Sequence, residues 1–244
     1  MRADQFPTTR WSLVDRFGQT GSESQMAEFL GRYRPALVAF LTSQPGFGAS
    51  DVEDLVQGFI ADKLLQERLL RDADARRGKL RNFLMRSLHN YALNARRAAQ
   101  TARRRPVQGL VSLESAGADP AALDSAQARF EVEWARAVLA EAMRRTEAEA
   151  NNKSMPECWA VLLARVIKPL TRQTPAPSYA QLVDELGFDS PAEASNRLIT
   201  AKRMFSRNLR AIISEYVSSP DQIEEELIDL QHALSRSAGA GPTD

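Results

Sequence analysis

One stretch of the sequence combines side chains that bind polyanions with side chains that can contact nucleic-acid bases. Residues 76–105 contain ten Lys or Arg residues and no Asp or Glu. Leu80, Leu84 and Leu88 recur at helical spacing, which predicts an amphipathic helix from Leu80 to Arg105, about 39 Å long. Arginine binds phosphates, and amides and aromatic rings contact base edges and faces. The predicted outer face carries Arg86, Asn90, Asn94, Arg97, Thr101 and Arg104.

A solvated surface is the alternative interpretation of such a basic helix, because charged faces of helices are often simply exposed to water. The complete absence of acidic residues in this stretch favours a polyanionic partner instead. The net charge of the whole chain is only +1, so this conclusion rests on the local segregation of charge.

An acidic group opens a second predicted helix. Asp51, Glu53 and Asp54 follow Ser50, and Ser50-x-x-Glu53 has the pattern of a capping box, which makes a structural role the simplest interpretation for Glu53. A carboxylate cluster for Mg²⁺ is the enzymatic alternative, but no phosphate-binding loop, nucleophile or base accompanies it.

Docking of a basic partner helix is a third interpretation of the acidic group. Asp51 and Asp54 share a predicted face with Gln57 and Gly58. A glycine has no Cβ and would allow a partner backbone to approach closely.

The C-terminal half contains the pattern of a helix-turn-helix between residues 178 and 210. A short helix to Leu186 precedes Gly187, and a second helix begins with Ser190 as N-cap and Pro191 at its first position. A generic helical hairpin is the alternative. In a DNA-binding unit, Glu193, Asn196 and Arg197 would reach base edges, and Lys202, Arg203 and Arg207 would lie near phosphates.

Composition excludes several other classes of protein. Cys158 is the single cysteine, so no internal disulfide can form, and no Cys/His set has the spacing of a zinc site. Neither a signal region nor an apolar stretch of about 20 residues is evident. We therefore expect a cytoplasmic protein without membrane insertion, catalytic residues, metal or cofactor.

The pattern predicts an all-α fold of two small helical domains joined by a flexible linker, since no strand signal appears. A helix is expected from Ser24 to Leu41, kinked or divided at Pro35. The residues after Pro106 are small, polar and without helical periodicity, which suggests a linker. The predicted organisation is a first domain at 1–105, a linker at 106–129, a helix-turn-helix domain at 130–217 and an acidic C-terminal extension at 218–244, which we expect to fold back on a basic face and regulate it.

Two stretches together resemble the sigma-70 family. Residues 51–59 (DVEDLVQGF) and 81–97 (RNFLMRSLHNYALNARR) are similar to region 2, a helical bundle. Residues 178–188 (SYAQLVDELGF) and 190–203 (SPAEASNRLITAKR) are similar to region 4, a helix-turn-helix. With only a linker between them, the chain resembles extracytoplasmic-function (ECF) sigma factors. Gly58 stands where that family usually has Glu, and the turn at 187–190 is one residue longer.

The resemblance implies binding to core RNA polymerase, through its β′ clamp helices and β flap, and to promoter DNA. Polymerase contacts would come from Asp51, Asp54, Gln57 and Gly58. The −10 element would be bound by Arg81, Arg86, Asn90, Tyr91, Asn94, Arg96 and Arg97. The −35 element would be bound by Ser195, Asn196, Arg197, Thr200, Lys202, Arg203 and Arg207.

The sequence-based hypothesis is therefore a non-enzymatic factor that binds core polymerase, melts the −10 element and directs transcription initiation. The alternative is a helix-turn-helix regulator that binds duplex DNA without polymerase. Control by an anti-sigma factor, by a kinase or by the C-terminal extension is left open by the sequence.

Overall fold

The computed structural model describes residues 23–66, 79–103, 120–217 and 219–239. Every regular element in these ranges is helical, which confirms the all-α prediction. Predictions on residues 1–22, 67–78 and 104–119 lie outside the described residues, Arg104 and most of the expected linker among them.

The helices of the described residues are α1 (Glu23–Thr42), α2 (Ala49–Gly58, continued by a π-helical segment Phe59–Gln66), α3 (Leu80–Arg103), α4 (Pro120–Asn152), α5 (Pro156–Leu162, continued by a π-helical segment Leu163–Ile167), α6 (Lys168–Arg172), α7 (Tyr179–Leu186), α8 (Pro191–Ile213) and α9 (Pro220–Gly239).

The chain forms two compact units. The first contains residues 1–137 and 214–244, and the second contains residues 138–213. The expected helix-turn-helix domain at 130–217 is longer than the second unit, because residues 130–137 and 214–217 group with the first unit.

Helix α1 runs without interruption through Pro35, so the predicted division there does not occur. Proline removes one backbone donor, but Pro35 is exposed, while Tyr33 and Leu37 on either side are buried. Burial of these neighbours holds the helix together across the missing hydrogen bond.

An aromatic cluster forms the core of the first unit. The fully buried Trp134 of α4 stacks on Tyr33 of α1, with ring centroids 3.9 Å apart and planes at 16°. Phe130 lies one turn before Trp134 and stacks on it at 5.6 Å, and Tyr216 meets Trp134 edge-on at 5.4 Å. Burial of Phe130 and Trp134 therefore fixes the N-terminal part of α4 in this unit.

Helix α4 begins at Pro120, so the prediction of a linker as far as residue 129 is wrong for its last ten residues. Proline is well suited to a first helical position, and the alanines that follow are the best helix formers. Ala126 is also fully buried. Small side chains here indicate close packing rather than a flexible connection.

The acidic C-terminal segment forms α9, which is part of the first unit and not an appended tail. Glu226, Leu230 and Ala233 are buried. The expected contact with a basic element is present, since Glu226 pairs with Arg81 at the start of α3. A regulatory role for this contact stays a prediction.

The second unit contains the predicted helix-turn-helix. Ser178 caps α7 in a capping box with Gln181, and Gly187 ends the helix with φ at +72°, in the left-handed region that favours glycine. The hydroxyl of Ser190 accepts a hydrogen bond from the backbone N–H of Glu193 at 3.2 Å, which confirms it as a cap of α8. Phe188, in the turn between α7 and α8, is buried in the core together with Cys158, Leu182, Ala194 and Leu198.

Among the described residues, none of the helices has the length and apolar character required to cross a membrane.

Candidate nucleic-acid interface

Helix α3 presents an exposed row of arginines and asparagines along one face. Arg86, Asn90, Asn94 and Arg97 are all exposed. The opposite face is inserted in the core and includes Leu84, Leu88 and Ala92, each with no exposed surface. The predicted separation of a polar face from an apolar face is thus present, while Thr101 and Arg104 fall outside the residues whose side chains are described.

Three side chains of this row are available to a ligand. Arg86, Asn90 and Asn94 make no hydrogen bond or ion pair with any residue that the structure describes. Arginine offers five donors to phosphates, and each asparagine offers both a donor pair and an acceptor to base edges. Such a row suits a nucleic-acid strand whose bases are not already paired.

Arg81 does not belong to this row, which corrects its predicted role as a DNA contact. Only 7 % of its surface is exposed, and its guanidinium pairs with Glu226 and Asp229 of α9. Burial alone would lower the pKa of Arg81, but the charge of Glu226 and hydrogen bonds to both acids raise it above its ordinary value. Arg81 is an internal ion-pair partner that joins α3 to α9.

The acids around Arg81 form one network. Glu226 also accepts a hydrogen bond from the hydroxyl of Tyr216 at 3.3 Å, and Asp229 also pairs with Lys79. Partial burial would raise the pKa of Asp229, but hydrogen bonds from Lys79 and Arg81 lower it below its ordinary range. The charges at the start of α3 are therefore compensated within the unit, in contrast to the charge of Arg86 further along.

Tyr91 faces α2 rather than standing free on the outer face. Its hydroxyl donates to Asp62 Oδ2 at 3.0 Å, and its ring lies 5.8 Å from that of Phe59. A Cβ at Gly58 would meet the Tyr91 oxygen at 2.6 Å. The glycine therefore makes room for a side chain of this chain, and the approach of a partner backbone at Gly58 stays a prediction.

We predict that Gly58→Ala and Tyr91→Phe are strongly non-additive. Alanine is favoured over glycine in a helix by about 1 kcal/mol, but its Cβ collides with the tyrosine oxygen. Gly58→Ala alone should therefore give little or no gain in the free energy of unfolding, and Gly58→Ala with Tyr91→Phe should gain about 1 kcal/mol over Tyr91→Phe alone. Urea denaturation of the four proteins measures this. Equal effects of Gly58→Ala in both backgrounds would contradict the contact.

Arg96 is exposed and lies against the loop that precedes α2. Its guanidinium is 5.9 Å from the centre of the Phe47 ring and lies beside Gly46, whose φ is +90°. A Cβ at Gly46 would approach an Arg96 nitrogen to 2.5 Å. Arg96 thus packs over the loop while its charge stays accessible at the edge of the row.

The acidic face of α2 is exposed as predicted. Asp51, Asp54 and Gln57 point to solvent, and Val52 and Val56 on the other side are buried. The predicted capping box is wrong: Gly48 is the N-cap, without a side-chain hydrogen bond, and Glu53 pairs with Arg34 of α1. Within the described residues, no group of three or more His, Cys, Asp or Glu side chains could hold a metal ion.

The residues predicted to bind bases on α8 are partly engaged within the second unit. Arg197 lies 3.0 Å from Glu157 of α5 and 3.4 Å from Glu193. Glu193 also accepts a hydrogen bond from the backbone N–H of Asp189 at 2.9 Å. Both side chains have internal partners, so neither projects freely from the helix.

Three other residues of α8 that were predicted to bind DNA also have partners within the second unit. The hydroxyl of Thr200 donates to the carbonyl of Asn196 at 3.0 Å, and Arg207 pairs with Glu149. Hydrogen bonds with Arg165 and then with Ser195 lower the pKa of Tyr179, which places Ser195 at the junction with α7.

Three side chains on the outer face of α8 are exposed and unpaired. Lys202 and Arg203 form no ion pair with an acid in the described part of the chain, and the amide of Asn196 makes no hydrogen bond there. These three polar side chains of α8 are therefore available to a ligand.

Ile199 lies on the same outer face of α8, between Asn196 and Lys202, and was not predicted to be part of this surface. Its surface is 45 % exposed, whereas Leu198 and Ala201 on the inner face of the same helix are buried. The signal was available, because Ile199 lies outside the apolar positions 194, 198, 201, 205, 209 and 212 of the same helix.

The chain matches no protein-family model, no curated protein and no solved structure. Its function must therefore be argued from these two helical surfaces and their chemistry.

Proposed function

We propose that this chain is an ECF-type sigma factor, a non-enzymatic protein that binds core RNA polymerase and directs it to promoters. The observation that carries the proposal is the row of Arg86, Asn90, Asn94 and Arg97 along α3. It supports binding of a single strand, because base pairing in duplex DNA occupies the Watson–Crick edges of the bases, which asparagine amides can contact on a melted strand.

The −10 element is the ligand that we assign to α3. Arg86 and Arg97 bind phosphates of the non-template strand, and Asn90 and Asn94 contact bases that have left the stack. Extruding a base costs a few kcal/mol, which is offset by such contacts and by cations along the backbone. Arg96, at the edge of the row, adds a positive charge to the surface that binds this strand.

The −35 element is the ligand that we assign to the second unit. Helix α8 enters the major groove, with Asn196 at base edges and Lys202 and Arg203 near phosphates. Arg197, held by Glu157 and Glu193, positions the start of this helix instead of contacting bases directly.

Core polymerase is the protein partner that we assign to α2. Asp51, Asp54 and Gln57 form an exposed acidic face, which is complementary to a basic partner helix. The factor acts in the cytoplasm, where polymerase and promoter DNA are found.

Co-elution with core polymerase is the experiment that tests this function. The full chain is mixed with bacterial core RNA polymerase and separated by size exclusion, and the complex is then tested on a promoter with a premelted −10 region. We expect a stable complex that binds the non-template strand. A chain that does not co-elute but binds a specific duplex alone would be a polymerase-independent regulator, as the helix-turn-helix of the second unit also allows.

We predict that Arg86→Gln with Arg97→Gln makes binding of the −10 strand less dependent on salt. Each phosphate neutralised on a single strand contributes about 0.7 to the slope of log K against log salt concentration. The double variant, bound to core polymerase, should therefore lose about 1.4 from the magnitude of that slope.

Fluorescence anisotropy with a labelled non-template oligonucleotide at several salt concentrations measures the slope. Arg129→Gln, at an exposed arginine of α4 without an ion pair in the described part of the chain, is the control and should leave the slope unchanged. An equal slope for the double variant and this control would show that Arg86 and Arg97 of α3 do not bind phosphates of the −10 strand.

A further inference from the structure

Ile199 occupies the centre of the outer face of α8. Successive residues of a helix are separated by about 100° around its axis, so Ala192, Arg203 and Arg210 lie within about 40° of Ile199 and Asn196 within about 60°. All five side chains lie on the side of the helix that faces away from the core of the second unit.

Burial within the unit does not explain the isoleucine. Ala194, Leu198 and Ala201 fill the inner face and are buried, and Leu198, the nearest of them around the axis, is about 100° from Ile199. The 45 % exposure of Ile199 therefore leaves an apolar side chain in water at a place where the fold does not require one.

The neighbours of Ile199 are suited to DNA. The residues three and four positions away, which share its surface, are Ser195, Asn196, Lys202 and Arg203. Lys202 and Arg203 are exposed and form no ion pair with an acid that the structure describes. The isoleucine thus shares its exposed surface with one amide and two cations, Asn196, Lys202 and Arg203.

We propose that Ile199 determines sequence specificity by contacting the 5-methyl group of a thymine in the major groove. The thymine methyl is the one apolar substituent that the four bases display on that edge. An isoleucine cannot hydrogen-bond to the other bases, so it favours the base whose surface is also apolar. This inference rests on the DNA-binding half of the proposed function and adds to it the base that the site selects.

The test separates the methyl group from the rest of the base. Duplexes that the full chain binds in complex with core polymerase are selected from a randomised −35 region. Each thymine of the selected site is then replaced, one at a time, by deoxyuridine, which lacks only the methyl. The wild-type protein should lose about fourfold in affinity at one thymine, the effect of one methyl group returned to water.

Ile199→Ala should bind the thymine and deoxyuridine duplexes equally. Ile228→Ala replaces an isoleucine that is 53 % exposed on α9 and is the matched control, which should keep the fourfold difference. Circular dichroism of both variants should be unchanged, because about half of each side chain is already exposed to water and the rest of its helix is unaltered.

The two hypotheses fail in different ways. If no thymine shows a methyl effect that Ile199→Ala removes, while Lys202→Gln and Arg203→Gln still weaken all duplexes, the assignment of Ile199 is wrong and DNA binding by α8 stands. If no duplex is enriched, or if the two basic substitutions have no effect, α8 does not bind DNA and both proposals fall.

Discussion

Replacing Glu226 by alanine should lower the free energy of unfolding by about 3–5 kcal/mol, because it breaks a buried ion pair. The carboxylate is 1 % exposed and pairs with Arg81, which is 7 % exposed. Removing one member of a buried ion pair leaves the other charge without water or a counter-ion. The remaining contact of Arg81 with Asp229, a half-buried residue, compensates only in part.

Urea denaturation followed by circular dichroism measures this loss. Glu225→Ala is the control, because Glu225 is the neighbouring residue of the same helix and is exposed without a contact in the described part of the chain. Arg81→Met combined with Glu226→Leu should recover most of the stability, since both charges are then removed together. A Glu226→Ala protein as stable as Glu225→Ala would show that Arg81 reaches water and that the network does not hold α9.

The starts of α3 and α8 were predictable from the sequence because they depend on local signals. The start of α3 at Leu80 follows from apolar residues spaced three and four apart, and the start of α8 follows from Ser190 and Pro191. The exposed row of α3 was predictable for the same reason, since a period of 3.6 residues separates its two faces.

The partners of individual side chains were not predictable, because they come from distant parts of the chain. Arg81 lies in a basic run, and only the fold brings Glu226, 145 residues away, against it. Gly58 likewise appears free in the sequence until Tyr91 is placed beside it. Local composition misled at residues 120–129, where alanines that suggest a linker are packed in a helix.

Asp54→Arg should abolish co-elution with core polymerase while leaving the fold intact. Asp54 is exposed on α2 and forms no hydrogen bond or ion pair with any residue that the structure describes, so its replacement costs the chain little. At an interface with a basic helix, the change would convert an attraction into a repulsion, which costs several kcal/mol. Affinity should therefore fall by at least about a hundredfold, since each 1.4 kcal/mol is a factor of ten.

Titration of labelled protein into core polymerase gives the dissociation constant, and circular dichroism verifies the fold. Asp124→Arg makes the same charge reversal at an exposed position of α4 and should bind as the wild type does. Equal loss in both variants would show that net charge alone controls association, as for any weak encounter between charged proteins. Unaltered binding by Asp54→Arg would exclude the acidic face of α2 as the docking surface, and polymerase would then have to be bound by another part of the chain.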